Sequence, residues 1–368
     1  MDEDATSLRG HGGSVRFGRS DSSRLRLTGH LHWYSPGLDL NDLGYLRQAD
    51  LIANQAFLGW AETEPRRIFR TYSLQYMRED HWDFGGLKTL SNNLLEAACQ
   101  FKNKWEARGT FGHQNSVDTR VMRGGPALRW HDAWTSTLGV GTDPSRRVSL
   151  TARGAYDRAG DNPSRHSRVE GLVRARLSNR LSVSGRTANE IIADTLQYAA
   201  TPTTTAGPRW VLGRIDQDIW EFTFRADLAI TPNLTLQYYG SPFIGTGRYT
   251  EFKQATDTLA QRYQDRFHPY TADELAFLPD SNTYVVREAA GGATYSFGNP
   301  DFSFRQFRSN FVARWEYRPG SALYVVWSQG HTSEEQRWDS SFSSNWNALW
   351  HERPDNIFMV KLAYWFSP

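Results

Sequence analysis

Long apolar runs are missing from this chain. The longest is ALYVVW at 322–327, whereas a membrane-spanning helix needs roughly 20 consecutive apolar residues. Only 39% of the residues are hydrophobic, and the mean hydropathy is −0.62. The sequence therefore excludes a transmembrane helix. It does not exclude a membrane β-barrel, because barrel strands place apolar residues at only every second position.

The chain also has little cysteine and almost no excess of charge of one sign. Cys99 is the single cysteine, which excludes an internal disulfide framework, and its place in LLEAACQF favours a role as a small apolar filler. The 42 basic and 40 acidic residues give a net charge of +2 without long blocks of one sign. We therefore expect no nucleic-acid partner.

The sequence also lacks the common motifs of catalysis. It has no GxSxG, HExxH, P-loop or CxxC pattern, so we expect neither an enzyme nor a cofactor. His30 and His32 lie two residues apart in GHLHW, but no third metal ligand is evident nearby. They are interpreted as polar side chains of a lumen or rim, and no metal is expected.

The N-terminal segment MDEDATSLRGHGGSVRFGRS has neither a basic n-region nor an apolar h-region, so it does not match a signal peptide. Two expectations remain open from this feature. Either export is not needed, or the sequence is a fragment of a longer protein.

Aromatic residues are plentiful, at 14%, and many lie in segments that alternate apolar and polar side chains. In 220–230 the apolar residues Trp220, Phe222 and Phe224 alternate with Glu221 and Arg225. A two-residue period predicts β-strands with one apolar and one charged face. Such strands fit either a soluble sandwich or a membrane barrel.

The lengths of the connections favour the barrel. Thirteen alternating segments are evident, and a weaker one near 109–117 is added so that the number of strands is even. Short turns alternate with long links along the chain, as in outer-membrane barrels with short periplasmic turns and long extracellular loops. The sequence predicts an all-β, antiparallel, up-and-down transmembrane β-barrel of about 14–16 strands with both termini in the periplasm. The barrel spans 23–366 after a weakly structured segment 1–22, with long loops near 35–50, 188–214, 248–307 and 331–355.

Charged residues on the predicted strands identify the lumen. An arginine on the lipid face near the midplane costs about 2–4 kcal/mol, so charged side chains should point inward. The lumen-facing candidates are Arg174, Arg176, Glu221, Arg225, Asp227, Arg314 and Glu316.

The segment 331–355 combines Trp338, Trp346 and Trp350 with carboxylate and amide side chains. Flat aromatic faces beside such groups are typical of sugar recognition. The alternative is a loop that packs its tryptophans against the barrel rim or the lipid interface.

Five stretches carry a resemblance to a known family. They are LDLNDLGYLRQAD (38–50), FRADLAITPNLTLQYYGSPFIGTGRYTEF (224–252), NPDFSFRQFRSNFVARWEYRPGS (299–321), LYVVWSQG (323–330) and VKLAYWF (360–366). They resemble bacterial outer-membrane barrels of unknown function whose full-length members carry an N-terminal carbohydrate-binding-like module. The resemblance implies that this chain is the C-terminal part of a larger barrel, and it supplies no catalytic residues.

These observations lead to an expected function. We expect an outer-membrane protein in contact with lipid that passes or binds a small solute or a glycan. The alternative is a barrel with a plugged lumen that anchors a periplasmic or surface module. Missing N-terminal strands or a partner chain are expected to complete the barrel, because an open sheet edge is not tolerated in lipid.

Overall fold

The structure is a computed structural model that describes residues 9–19, 24–40, 46 and 48–366. Within these residues, no helix is both long and apolar enough to cross a membrane.

Strands dominate the secondary structure, and the described part of the chain contains one α-helix, near the C-terminus. The strands are β1 (Gly12–Arg19), β2 (Leu25–Tyr34), β3 (Leu51–Glu62), β4 (Phe69–Trp82), β5 (Lys88–Phe101), β6 (Glu106–Asp118), β7 (Leu128–Gly141), β8 (Val148–Ala159), β9 (Arg165–Arg176), β10 (Leu181–Ala200), β11 (Thr203–Thr204), β12 (Gly207–Pro208), β13 (Val211–Thr231), β14 (Leu234–Ala255), β15 (Phe267–Pro269), β16 (Leu275–Leu278), β17 (Thr283–Arg287), β18 (Thr294–Gly298), β19 (Phe302–Arg318), β20 (Ser321–Glu335) and β21 (Asp355–Ala363). The helix is α1 (Phe342–His351), and short 3₁₀ turns occupy Tyr263–Arg266, Pro279–Ser281 and Ala289–Gly291.

Sixteen strands form one antiparallel, up-and-down sheet whose order follows the chain. The order is β1-β2-β3-β4-β5-β6-β7-β8-β9-β10-β13-β14-β19-β20-β21, with β15 beside β14. Separate small sheets contain β11-β12 and β16-β17-β18. The predicted all-β antiparallel architecture is therefore confirmed. Among the described strands no ladder joins β1 to β21, so the sheet is not closed into a barrel there.

The chain divides into two compact units. Unit 1 comprises Met1–Leu138, Tyr156–Pro163 and Gln254–His268, and unit 2 comprises Gly139–Ala155, Ser164–Lys253 and Pro269–Pro368. In unit 2 the connections 142–147, 177–180, 232–233 and 319–320 lie at one edge of the strands, which we call the turn edge. The longer connections 201–210 and 336–354 lie at the opposite loop edge.

Several strands are longer than the sequence analysis predicts. The predicted loop 188–214 contains the ends of β10 and β13, which stay paired as far as Ala200 and Val211. The predicted loops 248–307 and 331–355 likewise contain the ends of β14, β19 and β20. The alternation fades in these ends partly because register shifts interrupt β10 between Asp194 and Gln197 and between Tyr198 and Ala200. Each shift moves the following side chains to the other face.

Strand β1 also differs from the prediction, because it lies inside the segment 1–22, which is expected to be weakly structured. Its residues pair with β2 from Gly12 opposite Tyr34 to Arg19 opposite Leu27. Val15 and Phe17 form its apolar face, but glycines and arginines around them obscure the two-residue period.

The predicted long loop 248–307 also contains a small sheet. β17 pairs with β18, and β16 pairs with β17, so these three strands form a sheet that we call the cap. The 3₁₀ turn Tyr263–Arg266 precedes it.

Candidate functional site

One face of β9, β10 and β13 in unit 2 carries most of the charged side chains of these strands. The register sets Arg168 opposite Glu190, and Ala188 opposite both Glu170 and Glu221. Since side chains two residues apart share a face, these residues lie together on what we call the polar face. The predicted candidates Arg174, Arg176, Arg225 and Asp227 share it, because they oppose Ser184 and Ser182 of β10.

A network of ion pairs crosses the polar face. Arg168 contacts Glu221 at 2.9 Å and also bonds to Glu190. Arg186 contacts Glu170 at 2.7 Å and Glu221 at 3.1 Å. Glu221, a predicted candidate, therefore joins two guanidinium groups that belong to different strands.

Arginines near the turn edge are held differently. The Nη2 atom of Arg176 donates to the backbone carbonyls of Ser145 at 2.7 Å and Arg146 at 3.1 Å. The guanidinium of Arg225 lies over the ring of Tyr239, 5.1 Å from its centroid. Among the described residues, neither Arg174, Arg176 nor Arg225 forms an ion pair with a carboxylate. These three arginines therefore lie outside the ion-pair network.

Arg314 and Glu316, two predicted candidates on one strand face, form an ion pair. Arg314 donates to Glu316 at 2.7 Å and to the Tyr324 hydroxyl at 3.3 Å. Arg314 pairs in register with Thr235 of β14, two residues from Gln237 and four from Tyr239. Since Tyr239 packs under Arg225, this pair lies on the same polar face.

The opposite face of unit 2 is apolar and exposed. Val173, Gly185 and Phe224 lie in one row of the register, and Val173 is 45% exposed. On β21, Phe358, Val360 and Leu362 are 72%, 68% and 64% exposed. A water-soluble sheet buries its apolar face and exposes its charged one. Unit 2 instead exposes its apolar face.

Unit 1 repeats this arrangement and shows where the apolar face ends. One row of exposed residues runs across five strands: Leu27, Leu58, Tyr76, Leu95 and Phe111. The next row on the same face contains Gly29, Ala56, Arg78, Asn93 and His113. The Tyr76 hydroxyl donates to the Asn93 amide oxygen at 2.8 Å, across the change from apolar to polar residues.

The same boundary occurs in unit 2. The row Tyr238, Phe311, Trp327 and Phe358 is followed by the row Gly240, Ser309, Gln329 and Asn356. Trp327 Nε1 donates to Asn356 at 2.9 Å. Amphipathic rings with one apolar and one hydrogen-bonded end are enriched where a bilayer meets water. Sequence reasoning missed these rows because they become visible only when the register is known.

The cap covers the polar face near the loop edge. Val211 and Ile215 share the face of Glu221 on β13, and they pack in one core with Phe252, Val286 and Phe297. Ile215 and Val286 are buried. The cap therefore lies over the sheet beyond the ion-pair network.

Polar contacts hold the cap in place. Arg209 Nε donates to Glu288 Oε1 at 2.6 Å, and the Ala293 N–H donates to Glu288 Oε2 at 3.0 Å. These bonds, led by Arg209, lower the pKa of Glu288 below its usual value. The Tyr270 and Tyr295 hydroxyls are 2.8 Å apart, and burial raises the pKa of Tyr270.

The three loop tryptophans lie in two separate surroundings. Trp346 and Trp350 lie on α1, where Trp346 packs edge-on against Phe222 and Trp350 packs against Phe307, with ring centroids 5.4 and 4.8 Å apart. Trp338 instead lies under the guanidinium of Arg248 at 4.9 Å. The structure therefore brings Trp346 and Trp350 together on the apolar face and leaves Trp338 elsewhere.

His30 and His32 of unit 1 stack with ring centroids 4.8 Å apart. They lie on the face of Gln55, which donates to Glu79 at 2.7 Å, and His81 contacts the same carboxylate at 2.9 Å. Among the described residues no group of three or more histidine, cysteine, aspartate or glutamate side chains is arranged to hold a metal ion.

The strands and their two faces define an all-β protein built on an up-and-down antiparallel sheet. A family model for a domain of unknown function, DUF5916, matches residues 1–367. The chain therefore belongs to the DUF5916 family. No curated protein matches it.

Proposed function

We propose that this protein is an outer-membrane β-barrel protein. The observation that carries the proposal is the exposed apolar face with its hydrogen-bonded aromatic boundary, which Trp327 and Asn356 exemplify. Lipid would cover this face, and the polar face would line a lumen. The turn edge would face the periplasm, which puts the C-terminal end of β21 there. β1 instead begins opposite Tyr34, beside the long connection 35–50, so only the C-terminal end is proposed to be periplasmic. Strands outside this sequence or a partner chain would pair with β1 and β21, because unpaired backbone groups are costly in lipid.

Within the barrel, the polar face would pass or bind a small solute or a glycan. The ion-pair network around Glu221 supports selection by charge, because fixed charges in a lumen discriminate between ions and solutes. Trp338 is the proposed contact for a glycan, whereas Trp346 and Trp350 pack against the apolar face that lipid would cover.

The cap favours a second candidate function. Its core with Val211 and Ile215 occupies the polar face near the loop edge, as a plug would. In this alternative the barrel anchors a periplasmic or surface module and conducts nothing.

Membrane location is tested by fractionating cells that express the full-length protein. Recovery in the outer-membrane fraction, with extraction only by detergent, is the expected result. A detergent-free soluble monomer would refute the proposal.

Conductance and glycan binding then separate the two roles. Planar-bilayer conductance is expected for passage, whereas absence of both conductance and an uptake defect on deletion favours the anchoring role.

On a glycan array, Trp338→Ala should abolish binding if the loop recognises sugars, and Trp315→Ala, which alters an exposed residue of β19, should not. Equal binding by wild type and Trp338→Ala would exclude Trp338 from recognition.

A further inference from the structure

A cleft of about 590 Å³ opens on the polar face at the turn edge of unit 2. Its lining includes Arg147, Arg176 and Arg180 but only one carboxylate, Asp227. Arg176 lies opposite Ser182, which in turn lies opposite Asp227, so this part of the wall comes from three adjacent strands. A cleft of this size suits a small molecule.

Two arginines of the cleft, Arg176 and Arg180, are positioned by neutral groups. Arg176 is fixed by the carbonyls of Ser145 and Arg146, and Nη1 of Arg180 donates to the Ile230 carbonyl at 3.4 Å. A carbonyl oxygen orients a guanidinium but leaves its positive charge in place. Arg168 and Arg186 differ, because carboxylates neutralise the positive charges of their guanidinium groups.

Donor groups also remain for a ligand. A guanidinium has five N–H donors, and within the described residues the side chain of Arg176 bonds to protein through Nη2 alone. Its Nε and Nη1 donors therefore stay available in a group whose orientation is already set. Preorganised guanidinium groups favour the paired oxygens of phosphate and carboxylate.

We propose that this cleft binds a small soluble anion through a phosphate or carboxylate group. Arg176, Ser182 and Asp227 bring the charged face to the cleft, which favours a dissolved ligand over a lipid headgroup. The place of this site in a solute path, at the periplasmic mouth of a lumen, rests on the proposed function. Binding itself depends only on the geometry of unit 2.

Calorimetric titration of the detergent-solubilised full chain with inorganic pyrophosphate tests the site. Saturable binding is expected, and Arg147→Gln combined with Arg180→Gln should weaken it at least tenfold. Arg314→Gln removes one positive charge elsewhere on the polar face and should change affinity less than twofold. Raising the salt concentration should weaken binding, because screening acts on exposed charges.

Arg176→Gln should also abolish binding, but this change removes the bonds to the turn 142–147 as well. The double variant keeps those bonds and therefore tests the site even if Arg176→Gln fails to fold. Absence of pyrophosphate binding, or equal losses in the double variant and Arg314→Gln, would overturn the assignment. Fractionation separates this inference from the proposed function. An outer-membrane protein that binds no pyrophosphate refutes the site alone, and a soluble protein that binds it refutes the membrane proposal alone.

Discussion

Replacing Val173 by arginine distinguishes lipid from water on the apolar face. Val173 lies on β9 between Val169 and the turn edge, with Gly185 beside it in the register, and 45% of its surface is exposed. In lipid an arginine near the midplane costs about 2–4 kcal/mol. In water a substitution at such an exposed position changes stability by about 0.5 kcal/mol or less. The two environments therefore predict different magnitudes for one mutation.

The expected loss of about 2–4 kcal/mol lowers the ratio of folded to unfolded protein about 30- to 900-fold. Denaturant titration of the protein folded into lipid vesicles measures it, with tryptophan fluorescence as the signal. Ser182→Arg is the matched control, because it places the same charge on the polar face opposite Asp227. A change below about 0.5 kcal/mol for Val173→Arg in vesicles would refute the assignment of this face to lipid.

Three further predictions concern the polar face, the cap and the helix. Glu221→Gln should destabilise the protein by about 1–3 kcal/mol in denaturant titrations, because two guanidinium groups lose a shared carboxylate. Glu316→Gln, which removes the carboxylate of one guanidinium group alone, should cost less, and equal losses would contradict the network. The pKa of Glu288 is lowered by Arg209, so its contribution is present above the usual glutamate pKa and is lost as pH falls through the lowered value. Thermal unfolding should therefore separate wild type from Glu288→Gln at pH 7, with a gap that narrows at pH 3, and a constant gap would contradict the pairing. Asn345 is buried and donates to the carbonyls of Asp339 and Ser341 at 2.9 Å. Asn345→Ala should therefore lower the free energy of unfolding by about 1–3 kcal/mol and increase proteolysis within 336–354. Unchanged cleavage would argue against this anchor.

The sequence predicts the strands best where each face meets a single environment. In β13 the alternation of Trp220, Phe222 and Phe224 with Glu221 and Arg225 is uninterrupted, and the strand is found there. The period fades in 188–200, where a register shift after Asp194 changes the face that each residue occupies. Strand ends beyond the apolar rows also carry polar residues on both faces, which removes the contrast on which the prediction depends.

The candidate site was predictable by face but not by partner. Period two is enough to place Glu221, Arg225 and Asp227 on one side of β13. The partners of Glu221 lie on β9 and β10, and choosing Arg168 and Arg186 over Arg174 and Arg176 requires the register. If the strands paired with a register shifted by two residues, each side chain would stay on the same face of the sheet, but the ion pairs between strands would all change. The packing of the cap on Val211 and Ile215 likewise could not be predicted, because the two segments are distant in the sequence and no local pattern shows that they are in contact.

If the polar face binds a solute, as proposed, the cap would compete with that solute for the face. A solute that must displace it to reach the ion-pair network binds only the fraction of molecules in which the cap is undocked. If docking is worth about 3 kcal/mol, that fraction is about 1 in 160, and the apparent dissociation constant rises by the same factor. Changes that loosen the Arg209 contact with Glu288 would then raise solute affinity without touching the solute.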